Sequence, residues 1–501
     1  MTSVTRTVEA KLNGVDWTDI SADVLDVSPL IVRRGIFGNS PTDRVAGIGD
    51  MRLLLNNSAT NSGAKLGYYS PGHANVRSGF EIGLKVRIKF ASGATTKTKL
   101  VGLATEIDPQ FGIYKDRRTS VTVSDWMIIP SNYKLKTLAV QANKRPDQVL
   151  TTLKDALPIV PTSTDFDTDP DTYERSLHTE RDESTSGRTV MQKLAQSSLS
   201  TIFVDGDDTL VYQSRHGRVS NTTVSATLND TMTNLRVKRA SKDVKTTIKT
   251  VTYPVEVDDG ITLYTAQREL EITPGGTMEF VARYTDPSGS GRRLTGTENH
   301  VTPVADTDYK ASSTSGSGND MNGDLGITVT FGANTAKVEL TNDGSSTMYI
   351  NLFQLRGDGL FMYDPVEYLI EDETAQAIYG DYVLTYDMPY QDDPNKGKDF
   401  GDHLQDVYGA PKNKIEQVVF VANYNETLMG YALNVDVGDR VAIIESLTAT
   451  NDEYFVNGVE YRYFNGVLTV TWALAPATGG EFWFLGIQGL SEIGETTYLG
   501  F

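Results

Sequence analysis

The sequence contains no cysteine, so disulfide bridges and thiolate metal sites are excluded and the redox compartment cannot be read from pairing. Stability must come from packing or assembly. No apolar run approaches the roughly 18 to 20 residues a membrane-spanning helix needs. The opening residues, MTSVTRTVEAKLNG, lack the apolar core of a secretory signal, and a soluble protein is expected. Basic charge is scarce. The 46 Lys and Arg stand against 65 Asp and Glu, a net charge of -19, which argues against a large phosphate-gripping surface for nucleic acid.

Catalytic signatures are missing as well. There is no G-x-x-x-x-G-K-S/T phosphate loop, no H-E-x-x-H helix and no G-x-S-x-G elbow, and Gly47-Ile48-Gly49 lacks the third glycine of a dinucleotide turn. The five histidines, His73, His178, His216, His300 and His403, are far apart, and none has a second histidine at ligand spacing. Each reads as a surface or locally bonded residue, with His178 solvated in an acidic loop.

That loop, Asp165 to Glu183, holds eight acids against Arg175 and Arg181. Asp165, Asp167, Asp169 and Asp171 alternate as in a calcium loop, yet both registers fail. Counted from Asp167, the required glycine is Thr172 and the required glutamate is His178; counted from Asp165, those places hold Pro170 and Ser176. A disordered loop is expected in preference to a cation site. Glycoside hydrolysis needs two facing carboxylates, and 65 acids single out no pair. No catalytic, cofactor or metal-binding residue is therefore nominated, and the expectation is a non-enzyme without a cofactor.

What the sequence does have is alternation. With 501 residues and 44 glycines, short apolar runs separated by Gly, Asn, Asp, Ser and Thr favour many strands over a helical bundle. A mostly β, multidomain protein is expected: a β domain at each end, a small α/β domain and a β-sandwich; that the end domains are two small β-barrel domains and the sandwich an inserted one is what the resemblance given below implies. The boundaries read as 1–136 (N-terminal barrel), 137–238 (α/β), 239–371 (sandwich) and 372–501 (C-terminal barrel).

In the first unit, strands are expected at Thr5 to Leu12, Asp50 to Leu55, Leu84 to Phe90, Lys97 to Ile107 and Arg118 to Ser124. Val86, Ile88 and Phe90 fall on one face, and Lys85, Arg87 and Lys89 on a solvated basic face. In the second, Val149, Leu150, Leu153, Ala156 and Leu157 keep helical spacing behind Pro146, and Val190, Met191, Leu194 and Ala195 do so again. A strand, a turn at Asp205-Gly206 and a second strand follow.

In the third unit, ITVTFGANTAKVELTN reads as a hairpin turning near Gly332 to Asn334, and MYINLFQL as a buried strand. Short helices are expected at Thr374 to Tyr379 and Phe400 to Tyr408, each closed by glycine. The stretch Tyr431 to Leu474 reads throughout as paired strands, with its firmest turn at Asn465-Gly466. There Val459, Tyr461 and Tyr463 share the face suited to burial, opposite Glu460, Arg462 and Phe464. The aromatic strand EYFVNGVEYRYF is assigned to core or interface, with sugar stacking as the alternative.

Two sets of phrases carry a resemblance. At the N-terminal end these are VEAKLNGVDWTDISADVL, RRGIFGNSPTDRVAGIGDMRLLLNN and YYSPGHANVRSGFEIGLKVRIKF. Toward the C-terminal end they are VEYLIEDETAQAIYGDYVLTYDMPY, VDVGDRVAIIESLTATNDEYFVNGVEYRYFNGVLTVTWALAP and LSEIGETTYLGF. The chain resembles tail hub (baseplate hub or tail-tip) proteins of tailed bacteriophages at both ends and more weakly in the α/β unit; residues 239–371 depart from the minimal hub.

The resemblance implies a structural virion protein at the tail tip. It would form a homotrimeric ring whose six barrels match a six-fold tail tube or distal tail protein above and a three-fold fibre or spike below, around a channel that passes DNA without specific binding. An alternative is a receptor-recognition module that binds a host-surface glycan.

Overall fold

The computed structural model describes residues 2–38, 40–110, 117–136, 138–180, 184–286, 293–411 and 414–477, together with the short strands Phe482–Trp483 and Tyr498–Leu499. The phrase LSEIGETTYLGF, apart from Tyr498–Leu499, lies outside the described residues. Strands dominate and fall into several sheets, so the fold is mostly β and multidomain.

The largest sheet has 13 strands and draws on both ends of the chain. Strands Thr5–Ala10, Lys85–Ser92, Thr95–Gln110, Arg118–Ser124, Asp50–Asn56 and Leu30–Gly35 form one half. Strands Thr450–Phe464, Val467–Pro476, Lys414–Val421 and Asn234–Lys238 form the other. The halves join where Leu30–Gly35 pairs antiparallel with Thr450–Phe464, placing Val32 opposite Tyr461 and Gly35 opposite Gly458. The two end units expected as small barrels thus share one hydrogen-bonded sheet. The pairings among the described residues run from Asn234–Lys238 to Thr18–Asp19 without closing on themselves.

Alternation explains which faces are inside. Val86, Ile88 and Phe90 are buried, as their period-2 spacing requires. The opposite bases are engaged rather than freely solvated: Lys85 pairs with Asp208 at 2.8 Å, Lys89 with Glu9 at 2.7 Å, and Arg87 with Glu9 while lying 4.2 Å over the Trp17 ring. One core joins these residues to Phe420, Val456, Tyr461 and Trp472, with Phe420 and Trp472 edge to face at 4.8 Å.

The stretch 431–474 departs from its expected reading at its start. Tyr431 belongs to the helix Glu426–Asn434, whose first turn is capped by the Asn425 side chain accepting from the Leu428 N–H at 2.8 Å. Leu428, Met429, Ala432 and Leu433 are its buried residues. Beyond it the hairpin is as expected. Asn465 and Gly466 have φ of 49° and 77°, the two positive values that a type I′ turn requires, and Phe464 faces Val467. Asn457-Gly458 is not a turn; the strand continues through it with a register shift between Val456 and Gly458.

A second core gathers the helices Pro146–Asp155 and Gly187–Ser198 over the strands Thr201–Val204 and Thr209–Gln213. A third fills the region between Ile272 and Leu355, where the long strand Met348–Met362 is shared by four others. The expected hairpin is there as Leu325–Phe331 with Thr335–Asn342. A fourth, small core sets the helix Pro394–Tyr408 on a three-stranded sheet. Two of its strands, Thr247–Thr252 and Val366–Glu371, come from inside residues 239–371, and the third, Val383–Asp387, comes from outside that span.

Candidate functional site

The seam between the halves of the large sheet carries a buried polar cluster. Gly35 has φ of 99°, and a Cβ placed on it would lie 2.5 Å from the Asn457 carbonyl oxygen and 2.7 Å from Gly458 Cα. Only two glycines let these backbones cross so closely. Next to them Arg34 is buried. Its Nε donates to the Lys99 carbonyl at 2.8 Å, and its Nη2 meets Asp436 Oδ2 at 2.5 Å.

Lys99, itself 1% exposed, donates from Nζ to the Leu433 carbonyl at 2.8 Å, the C-terminal end of the 426–434 helix, and lies 4.8 Å over the Tyr461 ring. A cation at a helix C-terminus is favoured by the helix dipole. Burial pushes the Lys99 ammonium down to about 8. Desolvation opposes ionisation of Asp436, but Arg34 and then Lys99 hold its carboxyl below the usual range. Burial also raises the Tyr461 phenol, with Asp436 adding to the effect.

These groups come from positions 34, 99, 436 and 461, so the cluster exists only when the two ends of the chain are docked. It holds no nucleophile and base in hydrogen-bond relay. Its chemistry is that of a buried ionic clasp.

The histidines stay apart. His178 is 1% exposed, not solvated, and neither ring nitrogen has a hydrogen-bond partner among the described residues. Burial, with Lys193 and Arg175 nearby, pushes it down to about 3. It is covered from residues 239–371, where Asn334 donates to the carbonyls of His178 and Glu180 at 3.0 and 2.7 Å. His300 stacks on Phe331 at 4.3 Å, His73 sits in a loop, and His216 lies in the short helix Arg215–Ser220.

The acidic loop is ordered over its described part, contrary to expectation, because distant partners use its acids one at a time. Asp167 accepts from the Ser214 N–H at 2.8 Å, and buried Asp169 accepts from the Tyr212 hydroxyl at 2.6 Å. Asp171 receives Lys396 at 2.8 Å and Arg215 at 3.3 Å. Hydrogen bonding from His216 first, then Lys396 and Arg215, keeps its carboxyl well below the carboxylate range. Among the described residues no three His, Asp or Glu are arranged to hold a metal ion. One carboxyl pair that sequence could not single out is Asp392 with Glu174; burial and then the shared hydrogen bond raise Asp392.

The sugar-stacking alternative for EYFVNGVEYRYF meets a filled core: Tyr454, Phe455 and Tyr461 are buried, and Tyr463 stacks on Phe90 at 5.7 Å. On the opposite face, Phe464, Val467 and Ile31 are exposed on adjacent strands, with Arg462 paired to Ile31.

Comparison with solved structures adds the fold. The chain is similar to the 43 kDa tail protein of prophage MuSo2 from Shewanella oneidensis, with a TM-score of 0.50 and 9% identity over 95% of this chain and 99% of that one. The fold is that of a prophage tail protein. A tail protein from Neisseria meningitidis MC58 also matches, with a TM-score of 0.49 and 8% identity over 94% of this chain and 96% of that one. No family model and no curated protein matches the sequence. At these identities the tail-protein likeness is one of fold, which spans nearly the whole of both chains.

Proposed function

We propose that this chain is a structural protein of a phage tail, a hub at the tail tip whose homotrimeric ring joins the tail tube or distal tail protein to a fibre or spike. The observation that carries the reading is the 13-stranded sheet built from both chain ends, in a chain whose fold is that of a tail protein over 95% of its length. Each subunit would bring two sheet halves to the ring, locked at a fixed angle by the Arg34–Asp436 clasp and the Gly35–Gly458 crossing. Six halves in three copies match a six-fold tube.

Closure requires heterologous contacts between different patches of neighbouring copies. The exposed Ile31, Phe464 and Val467, on one sheet face with Arg462 and Glu460, supply one such mixed apolar and charged patch. A net charge of -19 suits a channel that repels DNA and lets it slide, without specific binding. Light scattering on the purified 54.9 kDa chain tests the reading. A mass of three copies, lost on Phe464→Asp with Val467→Asp while the circular dichroism is unchanged, supports it; an unaltered trimer in that variant removes the patch from the interface.

A further inference from the structure

A cavity of about 160 Å³ lies where four parts of the chain meet: Gly38 with residues 40–44, the helix Arg215–Ser220, the C-terminal end of the helix Pro394–Tyr408, and the strands Thr450–Phe464 and Val467–Pro476. Arg44, Arg215 and Arg218 all line it, beside His403. In a protein of net charge -19, three guanidiniums around one cavity call for anionic partners, and the protein supplies too few.

Arg218 donates to the Thr201 hydroxyl at 2.6 Å and to Asn457 Oδ1 at 2.8 Å, both neutral, and lies 4.4 Å over the Phe455 ring. Arg44 donates to the Pro41 and Leu199 carbonyls at 2.9 and 3.3 Å. Among the described residues neither has a carboxylate within ion-pair distance. Arg215 has Asp171 at 3.3 Å through Nη2, but its Nη1 is buried without a partner.

Two carboxylates, Asp43 and Asp243, and a further cation, Lys414, also line the cavity, four cations against two acids, and Asp243 Oδ2 is itself buried without a hydrogen-bond partner among the described residues. Asp43 caps the Ser40 N–H at 2.9 Å, and Asp243 sits 3.8 Å from Lys238 and 3.7 Å from Lys414. The field inside is accordingly positive. Burial first, then Arg44, pushes the Arg218 guanidinium down to about 9, and burial followed by Arg215 and Arg44 pushes His403 down to about 4.

Guanidiniums gathered with too few counter-charges repel one another, and planar N–H forks are suited to two or more oxygens of one anion. The volume exceeds that of several waters. We propose that this cavity is a binding site for a small oxoanion of the phosphate class, held between Arg218 and Arg44 with Arg215 Nη1 as a third donor. Because the walls come from the α/β unit and from both halves of the large sheet, the anion would tie them together.

Inorganic phosphate is the probe, titrated calorimetrically into the full chain against chloride at equal ionic strength, with melting followed in parallel. The expected result is one phosphate per chain, a melting temperature that rises with phosphate but not with chloride, and at least a tenfold loss of affinity in both Arg218→Gln and Arg44→Gln. Arg218→Gln, at a half-buried position, loses the hydrogen bonds to Thr201 and Asn457 and is expected to keep the wild-type circular dichroism in phosphate-free buffer. Should that variant fail to fold, Arg44→Gln carries the test alone. Absence of phosphate-specific heat and of a melting shift in the wild type, or undiminished binding in the variants, would overturn the proposal. Mass measurement on the same samples separates this outcome from failure of the trimeric ring.

Discussion

Replacing Asp436 with asparagine removes the carboxylate that bears most strongly on both Arg34 and Lys99. Both cations would stay inside, Arg34 with a fully buried side chain and Lys99 at 1% exposure. Removing one partner of a buried ion pair costs about 3 to 5 kcal/mol. Asp436 keeps 29% of its side-chain exposure, so water already screens part of the pair, and a cost of about 3 kcal/mol is expected.

Arg34→Met should cost less, about 1 to 2 kcal/mol, because the carboxylate it leaves behind keeps Lys99 and some water. The chain has several cores, so a single melting temperature does not isolate this effect. Hydrogen exchange of the Thr450–Phe464 strand does. About 3 kcal/mol corresponds to roughly a hundredfold faster opening of that strand in Asp436→Asn, with exchange in the Ile272 to Leu355 core unchanged. If Arg34→Met loosens the seam more than Asp436→Asn, or if neither changes exchange by as much as threefold, the clasp does not hold the halves together.

The same cluster gives Lys99 a pH signature. Its folded value of about 8 lies below the ordinary 10.5, so between these values the unfolded chain binds more protons and stability rises with pH; urea titrations of wild type minus Lys99→Met should show that rise from pH 8 and lose it in the difference if Lys99 is not buried. His178 behaves alike in acid: with a folded value of about 3 against 6.5, its contribution is intact above pH 6.5 and is lost by about 1.4 kcal/mol per unit as pH falls below it, a slope that His178→Phe should remove. At the seam, Gly35→Ala must place a Cβ 2.5 Å from a backbone oxygen at positive φ, and at least about 3 kcal/mol of destabilisation is expected, readable as loss of soluble expression. Trp472→Ala, which empties a fully buried site against Phe420, should cost about 3 to 5 kcal/mol in urea unfolding.

Local pattern carried far in this chain, and its limits have physical causes. The period-2 runs around Val86 to Phe90 and Val459 to Tyr463, the Asn465-Gly466 turn, and the helices behind Pro146 and Ser186 were legible because each depends on neighbours in sequence. The helix 426–434 was not. Nine residues that contain Gly430 and end in Asn434, capped by Asn425 before them, carry a weak helical signal, and the burial of this helix against Lys99 is set by a residue more than 300 positions away. The acidic loop was misread for a related reason: counting charge within the loop cannot reveal that Tyr212, Ser214, Arg215 and Lys396 come to meet Asp167, Asp169 and Asp171 singly. His178 looked solvated among acids, yet Asn334 from a distant hairpin turn and Gly296 from a distant strand cover it. The seam itself rests on the pairing of Leu30–Gly35 with Thr450–Phe464 across more than 400 residues, which alternation within either strand does not encode.

The central claim is that copies of this chain close into a three-fold ring whose sheet halves surround a channel. Electron microscopy of the purified protein, with its mass measured by light scattering over a range of concentrations, tests this most directly. The account predicts particles of three copies with a central hole and six similar lobes. A chain that remains monomeric at every concentration, including in the presence of its tail partners, would contradict it.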